Sequence, residues 1–292
     1  MMDTYTFPKL QKKDFDKVMG ILDVPNTATY SLLLNHKRVS KTSQEIFNDK
    51  YAKIGDRTYS GKQREGSAPA NAEKSTYEYV ENACEIFKKT AKATATAIAV
   101  AKANGENIIK NELQYSLIAI KKDINHAIVV GELSKTDPRA TAGFKNLVAE
   151  ENTFEVEGEL TKAIIDNMVL KVSKVAKGQL FLAVSSADLP TLQELLLQGK
   201  TINVNDGGDA IAGVAVTKYK SVYGPVVNIY CEDELSTGEV LVYDIASVGI
   251  RVLRDFFQKD NAKDFDGELS EIITELGATG NPQAIALAKP QV

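Results

Sequence analysis

Residues 106–130 carry the strongest helical pattern of the chain and constrain its fold more than any other segment. Apolar residues recur there at steps of three and four, as on one face of an α-helix, at Leu113, Leu117, Ile120, Ile124 and Ile128. Glu106 is favourable at the positive end of a helix dipole, and Gly131 follows as a stop signal. At the usual rise per residue this helix is about 37 Å long. The pattern predicts one long helix, longer than most single domains need.

The same helix contains Asp123 and one of the two histidines of the chain, His126. A spacing of three residues places both side chains on one helix face. The apolar stripe occupies the opposite face, so Lys122, Asp123 and His126 are expected to face solvent. The pattern favours a surface pair worth about 0.3 kcal/mol over a catalytic carboxylate–imidazole pair.

The 292-residue chain has an ordinary globular composition, with 43% hydrophobic and 25% charged residues. This composition excludes the disordered and fibrous classes, and a net charge of −4 does not require nucleic acid as a partner. The charge is unevenly divided, with +5 on residues 1–150 and −9 on residues 151–292. Opposite charges of this size favour head-to-tail self-association, although a dipolar surface explains them equally well.

Cysteine usage and hydropathy indicate a reducing cytoplasm. Cys84 and Cys231 stand far apart and match no metal-binding spacing, so both are expected to be free thiols. No apolar run approaches the roughly 20 residues that cross a bilayer. The polar start of the chain is unlike a secretory signal. We therefore expect no membrane partner.

Residues 60–76 (SGKQREGSAPANAEKST) hold no apolar side chain larger than Ala. Stretches of this kind are usually functional or disordered. Their flanks, 50–59 and 77–90, are strand-like but polar on both faces. They predict a long two-stranded ribbon, which is marginal alone in water and needs a neighbouring surface. Upstream, residues 14–22 and 40–51 predict two short helices.

The rest of the chain alternates between helix and strand patterns. Helices are predicted in the Ala-rich segment 90–105, ending at Asn104-Gly105, and within 158–178 and 185–199. A buried strand is predicted at 179–184, a turn at 204–210, and an antiparallel set of strands at 211–222, 225–231 and 238–245. The predicted fold class is α+β, with a long helix, an antiparallel sheet, the extended ribbon and a smaller αβ insertion at about 150–212.

Few motifs point to chemistry. GDRTYSGKQ at 55–63 misses the phosphate-loop spacing, because five residues separate its glycines and no hydroxyl residue follows Lys62. NVNDGGDA at 203–210 resembles the start of a calcium loop but lacks the closing Glu. Two histidines and two scattered cysteines predict no transition-metal site. No catalytic, cofactor-binding or metal-binding residue is therefore predicted, although carboxylates leave a carboxylate-dependent hydrolase as an open alternative.

Several segments, taken in order, resemble a known protein family. They are SLLLNHKRVSK at 31–41, REGSAPA at 64–70, ENACEIFKKTAKATATAIAVAKANG at 81–105, the segments 112–132 and 137–148, YKSVYGPVVNIYC at 219–231, and the closing GELSEIITELGATGNPQAIALA. On these residues the chain is identified as a member of the tailed-bacteriophage major capsid proteins with the Hong Kong 97-type fold, similar to the phage SU-ten capsid subgroup. It departs from the usual residues of that family at Phe47, Cys84-Glu85 and Asn125.

The resemblance implies a division of the chain into capsid domains. Residues 1–30 would form an N-terminal arm, and 31–90 would continue the arm and form the extended loop, with its ribbon at about 50–90. Residues 91–150 and 213–292 would form the peripheral domain, with the spine helix at about 106–131. Residues 151–212 would form the axial domain, which packs around fivefold and sixfold axes.

The resemblance also implies a structural function without enzymatic activity or cofactors. The chain would self-assemble, as pentamers and hexamers, into the icosahedral or prolate head shell of a virion that encloses double-stranded phage DNA. Assembly would take place in the host bacterial cytoplasm. The alternative is an encapsulin-like compartment that encloses a cargo enzyme.

Further partners follow from the resemblance. They are portal and scaffolding proteins, a decoration protein, and the packaged DNA through non-specific contacts. Because the chain begins with Met, a separate scaffolding protein is expected. The basic residues expected to face the DNA are Lys12, Lys13, Lys17, Lys121 and Lys122.

Overall fold

The computed structural model describes residues 26–53, 65–66, 76–158, 160–197, 202–203, 217–260 and 265–291. The helices are α1 (Ala28–Asn35), α2 (Ala95–Ala103), α3 (Ile108–Val130), α4 (Phe144–Leu147), α5 (Lys162–Ser173) and α6 (Leu189–Leu197). The strands are β1 (Val39–Lys41), β2 (Ile46–Lys53), β3 (Thr76–Ala83), β4 (Glu85–Thr94), β5 (Thr153–Val156), β6 (Leu180–Val184), β7 (Ile202–Asn203), β8 (Thr217–Lys220), β9 (Val226–Cys231), β10 (Val240–Asp244), β11 (Val248–Asp260), β12 (Gly267–Gly280) and β13 (Ile285–Pro290). Short 3₁₀ turns lie at Glu150–Asn152 and Pro282–Ala284.

Helix α3 confirms the predicted spine. It begins two residues later than expected, because the Asn107 side chain accepts a hydrogen bond from the Lys110 N–H and caps the helix there. Ile120, Ile124 and Ile128 are fully buried. Gly131 ends the helix for a packing reason: a Cβ at this position would overlap the carbonyl oxygens of Ala127 and Thr141.

Most other helix predictions hold. Helix α2 begins at a Thr94 cap and ends before Gly105, which adopts a left-handed backbone conformation with φ 77°. Helices α5 and α6 occupy the two segments predicted around the buried strand. Helix α1 was not predicted, and the helix predicted at 14–22 lies outside the described residues. None of the helices in the described part of the chain is long and apolar enough to cross a membrane.

Two segments differ from their predictions. The helix predicted at 40–51 is wrong, because these residues enter strands β1 and β2. The second ribbon strand, predicted at 77–90, is divided at Cys84. Residues before Cys84 pair with β2, whereas residues after it pair with β12 in another sheet. The ribbon observed is therefore β2–β3, with Ile46 opposite Ala83 and Lys53 opposite Thr76.

The two larger sheets have different topologies. A four-stranded sheet has the order β1-β11-β12-β4, in which β1 runs parallel to β11 and the other pairs are antiparallel. A seven-stranded sheet has the order β5-β13-β10-β6-β9-β8-β7. Its β8 and β9 are antiparallel, as predicted. The predicted antiparallel neighbours β9 and β10 are separated by β6, which pairs parallel to β9.

The seven-stranded sheet joins strands from both sides of residue 212. Strands β5, β6 and β7 come before it, and β8, β9, β10 and β13 come after it. The division into an axial domain at 151–212 and a peripheral domain from 213 onward therefore stays a prediction about assembly geometry.

Two apolar cores cover opposite faces of this sheet. Along the fully buried strand β6, Phe181 and Ala183 belong to the core shared with α1, α3 and the four-stranded sheet. Leu180, Leu182 and Val184 belong to the core shared with α5 and α6. Because side chains alternate along a strand, a continuous apolar strand like this one must be covered on both faces.

The spine stripe predicts a large cost for truncating a buried residue. Ile124→Ala removes a fully buried side chain from the first core, so we expect a loss of about 2–5 kcal/mol in the free energy of unfolding of the unassembled subunit. Urea denaturation measures this. Leu117→Ala, at a half-buried position of the same stripe, is the matched control and should cost less than about 2 kcal/mol. Equal losses of stability for both variants would contradict the deeper burial of Ile124 in the first core.

Candidate assembly surfaces

One end of the ribbon is anchored to the four-stranded sheet. Phe47 is buried, and its ring lies 3.1 Å from the position that a Cβ would take at Gly277. Asp49 is also buried and forms an ion pair of 2.6 Å with Arg251. Its second oxygen accepts a hydrogen bond from the Thr279 hydroxyl. A buried carboxylate with both oxygens bonded fixes the direction in which the ribbon leaves the sheet.

Asn82 provides the second anchor. Its amide nitrogen donates to the carbonyl oxygens of Ala142 (2.9 Å) and Ala278 (2.7 Å). Its side-chain oxygen accepts from the N–H groups of Ala83 and Ala142, both at 2.8 Å. The Thr141 hydroxyl bonds to the same oxygen and accepts from the Ala278 N–H. One buried amide thus joins β3, β12 and the loop after the spine helix.

Farther from this base, Tyr51 is half-buried, whereas two tyrosines of β3 are exposed. Tyr77 is 50% exposed and Tyr79 is 61% exposed. The Lys50 ammonium lies 3.7 Å from the centre of the Tyr77 ring, which places a cation between two aromatic side chains. We call Lys50, Tyr77 and Tyr79 the ribbon tip patch. Exposed aromatic groups beside a cation are typical of a surface that another protein covers.

The residues singled out on the spine helix have separate partners. Lys122, Asp123 and His126 are exposed, as predicted. Asp123 forms an ion pair with Lys89 at 2.8 Å, and the His126 Nδ1 lies 2.6 Å from Glu234. The predicted pairing between Asp123 and His126 is thus replaced by contacts to β4 and to the turn after β9. Lys121, the other basic residue predicted to face DNA on this helix, is half-buried. Lys12, Lys13 and Lys17 lie outside the described residues.

Lys122, Asp123, His126 and Glu234 line a cleft of about 580 Å³ between the spine helix and β4. Glu85 stands at its wall and accepts a hydrogen bond from the Thr141 N–H. Burial raises the pKa of Glu85, and the hydrogen bond from Thr141 and the nearby His126 oppose this rise. Within the described residues, no group of three or more His, Cys, Asp or Glu is placed to hold a metal ion.

A buried polar network that the sequence did not reveal lies next to this cleft. Glu232 is fully buried and accepts hydrogen bonds from the Thr29 N–H (3.1 Å) and the Asn125 side chain (2.8 Å), and also from the Thr29 hydroxyl. Asn125 in turn accepts from the Tyr30 N–H at 2.9 Å. The network joins α1, the spine helix and the end of β9. Its members are separated by 95 to 203 residues in sequence, so no local pattern could indicate it.

Burial raises the pKa of Glu232 above its ordinary value near 4.5, against the opposing effect of its hydrogen bonds. The folded subunit therefore holds this proton more tightly than the unfolded chain. The corresponding stability is complete below the unfolded pKa and is lost as the pH rises through the folded pKa.

Two further surfaces expose apolar side chains. The outer part of β11, residues 254–260, is exposed and includes Phe256 and Phe257 at 38% and 39%. The turn between β8 and β9 exposes Val222 at 74% and Tyr223 at 51%. The first lies on the outer part of the β11–β12 hairpin and the second at the β8–β9 turn. Exposed apolar groups of this kind are candidates for a contact with another protein.

The sequence profile of one protein family, described as SU10 major capsid protein, matches residues 2–290. Comparison with the curated proteins finds no match.

Solved structures with the same fold cover nearly the whole chain. The holo-SrpI encapsulin complex from Synechococcus elongatus PCC 7942 matches with a TM-score of 0.68 and 11% identity, covering 99% of this chain and 95% of that one. The capsid of an empty GTA particle matches with a TM-score of 0.67 and 13% identity, covering 97% and 96%. The capsid of cyanophage A-1(L) matches with a TM-score of 0.65 and 13% identity, covering 99% of both chains. At these identities the similarity establishes the fold.

Removing the ribbon anchor should loosen the ribbon base. Asn82→Ala leaves two buried carbonyl oxygens and two N–H groups without their partner, so we expect a loss of at least about 2 kcal/mol in the free energy of unfolding. We also expect faster proteolysis near residues 76–83. Asn82→Asp keeps the accepting oxygen, so its free energy of unfolding should fall by less. Unchanged proteolysis in Asn82→Ala would contradict an anchoring role.

The Glu232 network predicts a pH dependence. As the pH rises from about 4.5 to about 8, the unassembled wild-type subunit should lose stability relative to Glu232→Gln, because only the wild type must give up the tightly held proton. Chemical denaturation of both proteins across this range measures the difference. Parallel stability curves would show that the Glu232 pKa is the same in the folded and unfolded states.

Proposed function

The chain belongs to the SU10 major capsid protein family, and from this membership we propose how its surfaces build the shell. As a major capsid protein it forms the capsid of a tailed-phage virion. In our proposal, copies associate as pentamers and hexamers that tile an icosahedral or prolate shell around double-stranded DNA. Head-to-tail contacts close into a ring when the rotation from one copy to the next divides a full turn into equal parts.

The observation that carries this proposal is the ribbon. Strands β2 and β3 pair only with each other among the described strands, and their tip exposes Tyr77 and Tyr79. A two-stranded sheet that is covered only near its base is marginal alone in water. The ribbon therefore gains its stability on a neighbouring copy, where its two aromatic side chains become buried.

The chain segments take different roles in this arrangement. The arm predicted at 1–30 would cross a subunit boundary only before α1, because Ala28 and Tyr30 pack in the core of their own subunit. The ribbon forms the extended loop. The body around the spine helix (91–150 and 213–292) forms the peripheral domain, and 151–212 contributes the axial domain at the symmetry axes. Many contacts of this kind bury far more area per subunit than the roughly 1,600 Å² of a standard interface.

The remaining partners are part of the same proposal. Portal and scaffolding proteins, and a decoration protein, bind the assembled or assembling shell. The DNA is held by non-specific contacts to phosphates, for which the exposed Lys122 and the half-buried Lys121 are candidates. The chain performs no catalysis in this proposal, since its function is to form the shell that encloses the DNA.

An encapsulin-like compartment is the second candidate, because an encapsulin complex shares the fold over 99% of this chain. The two functions differ in what the shell encloses. A capsid encloses nucleic acid, whereas a compartment of that type encloses a protein cargo. The family match favours the capsid.

The assembly proposal is tested by expressing the chain alone and examining it by negative-stain electron microscopy and sedimentation velocity. Shells, tubes, or fivefold and sixfold rings are expected. Nuclease-protected nucleic acid in shells from infected cells distinguishes a capsid from a cargo compartment. A compact monomer or dimer that persists at high concentration would contradict the proposal.

The ribbon tip patch predicts a specific assembly defect. Tyr77→Ser combined with Tyr79→Ser should raise the protein concentration needed for assembly by about tenfold or more, because interface tyrosines often contribute more than about 1 kcal/mol each. Light scattering over a series of protein concentrations shows the concentration at which assembly begins. The control, Tyr77→Phe with Tyr79→Phe, keeps both rings and should assemble nearly as the wild type does. Normal assembly of the serine variant would exclude the patch from the interface.

A further inference from the structure

The four-stranded sheet ends in an open strand edge. On the paired side of β1, the Arg38 carbonyl accepts from the Ile250 N–H (2.8 Å) and the Thr42 N–H donates to the Val252 carbonyl (3.0 Å). In a parallel strand, the backbone groups of alternate residues point to the same side. Those of Arg38 and Thr42 point to β11, so those of Val39 and Lys41 point away from it. No strand of the described residues pairs with that side. Such an edge is a template for adding another strand.

A positively charged cleft of about 410 Å³ lies beside this edge, between β1 and the ribbon base. Four cationic side chains and one carboxylate line it: Lys37, Arg38, Lys50, Arg251 and Asp49. The Asp49 carboxylate is paired with Arg251. Arg38 donates to the backbone carbonyls of Ala246 and Val248. Across the part of the chain that the structure describes, no carboxylate pairs with Lys37, Arg38 or Lys50.

The seven-stranded sheet ends in an open edge of the opposite charge. The Gln291 N–H donates to the Val156 carbonyl (3.1 Å), so Val156 faces β13. By alternation, the backbone groups of Thr153 and Glu155 face the open side. Exposed carboxylates flank and occupy this strand, at Glu150, Glu151, Glu155 and Glu157. One half-buried lysine, Lys289, lies 3.5 Å from Glu155.

We propose that β5 of one copy adds as a strand to the open edge of β1 in the neighbouring copy, with its glutamates facing Lys37, Arg38 and Lys50. This inference rests on the proposed assembly function and specifies one of its contacts. Strand addition supplies main-chain hydrogen bonds, while the side chains provide selectivity. Because the two edges are different surfaces, the contact is head-to-tail and compatible with a closed ring.

Charge favours β5 over the other segments that could occupy the cleft. Residues 1–25 carry four lysines and four aspartates, so that segment is neutral. The edge strand β4 carries Lys88, Lys89 and Lys92, which would repel the lysines of the cleft. The proposed pair also accounts for the uneven charge of the chain, since β1 lies in the half with +5 and β5 in the half with −9.

Charge reversal and its compensation test this contact. Lys37→Glu with Lys50→Glu should raise the concentration needed for assembly by about tenfold or more, and Glu155→Lys with Glu157→Lys should do the same. Every copy presents both surfaces, so a chain carrying all four substitutions should assemble nearly as well as the wild type. The matched control, Lys102→Glu with Lys110→Glu, reverses two exposed charges outside both edges and should assemble normally.

The outcomes separate this inference from the assembly proposal. Wild-type protein that never assembles would contradict the proposed function itself. Wild-type shells together with normal assembly of both reversed pairs would overturn only the β1–β5 contact. Loss in both pairs without recovery in the fourfold variant would also overturn it. Circular dichroism of the unassembled variants should match that of the wild type, which keeps a loss of assembly distinct from a loss of folding.

A second measurement uses the unmodified protein. Carbodiimide links a lysine to a carboxylate only where the two are in contact. In shells mixed from isotope-labelled and unlabelled copies, mass spectrometry should detect intermolecular links from Lys37 or Lys50 to residues 150–157. Links from these lysines to residues 1–25 instead would show that the N-terminal segment occupies the cleft, and would overturn the proposal.

Discussion

A two-stranded ribbon cannot bury enough apolar surface to stabilise itself, and this constraint governs the rest of the structure. The ribbon of β2 and β3 is held at its base by Phe47, Asp49 and Asn82. Beyond them Tyr77 and Tyr79 are exposed, while Tyr51 is half-buried. In the proposed shell, a subunit of this design is incomplete alone, because part of its stabilisation depends on a second copy. Self-assembly is then a thermodynamic consequence of where the apolar groups are placed.

The body of the subunit supplies the rigidity that such a ribbon needs. Opposite faces of the seven-stranded sheet contact separate cores, and the spine helix packs into the first of them. The buried Glu232 network ties the spine to α1 with directional bonds. Buried polar groups that are fully bonded specify one arrangement more strictly than apolar packing does. A shell built from many copies requires this, since small errors in subunit geometry accumulate around a ring.

The sequence predicted the elements whose patterns are local. The apolar stripe of Ile120, Ile124 and Ile128 is a property of one continuous segment, and α3 was placed within two residues at its start. The apolar run of β6 was equally clear. The absence of large apolar residues from 60–76 and the polar flanks indicated a ribbon, although not the point at which it ends.

Elements that depend on distant partners could not be predicted in the same way. Residues 46–51 form a strand because they pair with residues 78–83, far along the chain, and alone they resemble a short helix. The position of β6 between β9 and β10 is likewise set by tertiary contacts. Asn125, Phe47 and Cys84 are all buried. The resemblance identified the family, but the contacts at these positions required the structure.

Hydrogen–deuterium exchange of free subunits and assembled shells tests the central claim most directly. If the ribbon tip is stabilised by a neighbour, amides of residues 50–53 and 76–79 should exchange rapidly in free subunits. In shells they should slow by about a hundredfold or more. Amides of the spine helix should be protected in both states. Equal protection of the ribbon tip in free subunits and shells would contradict the account, because the ribbon would then be stable without its neighbour.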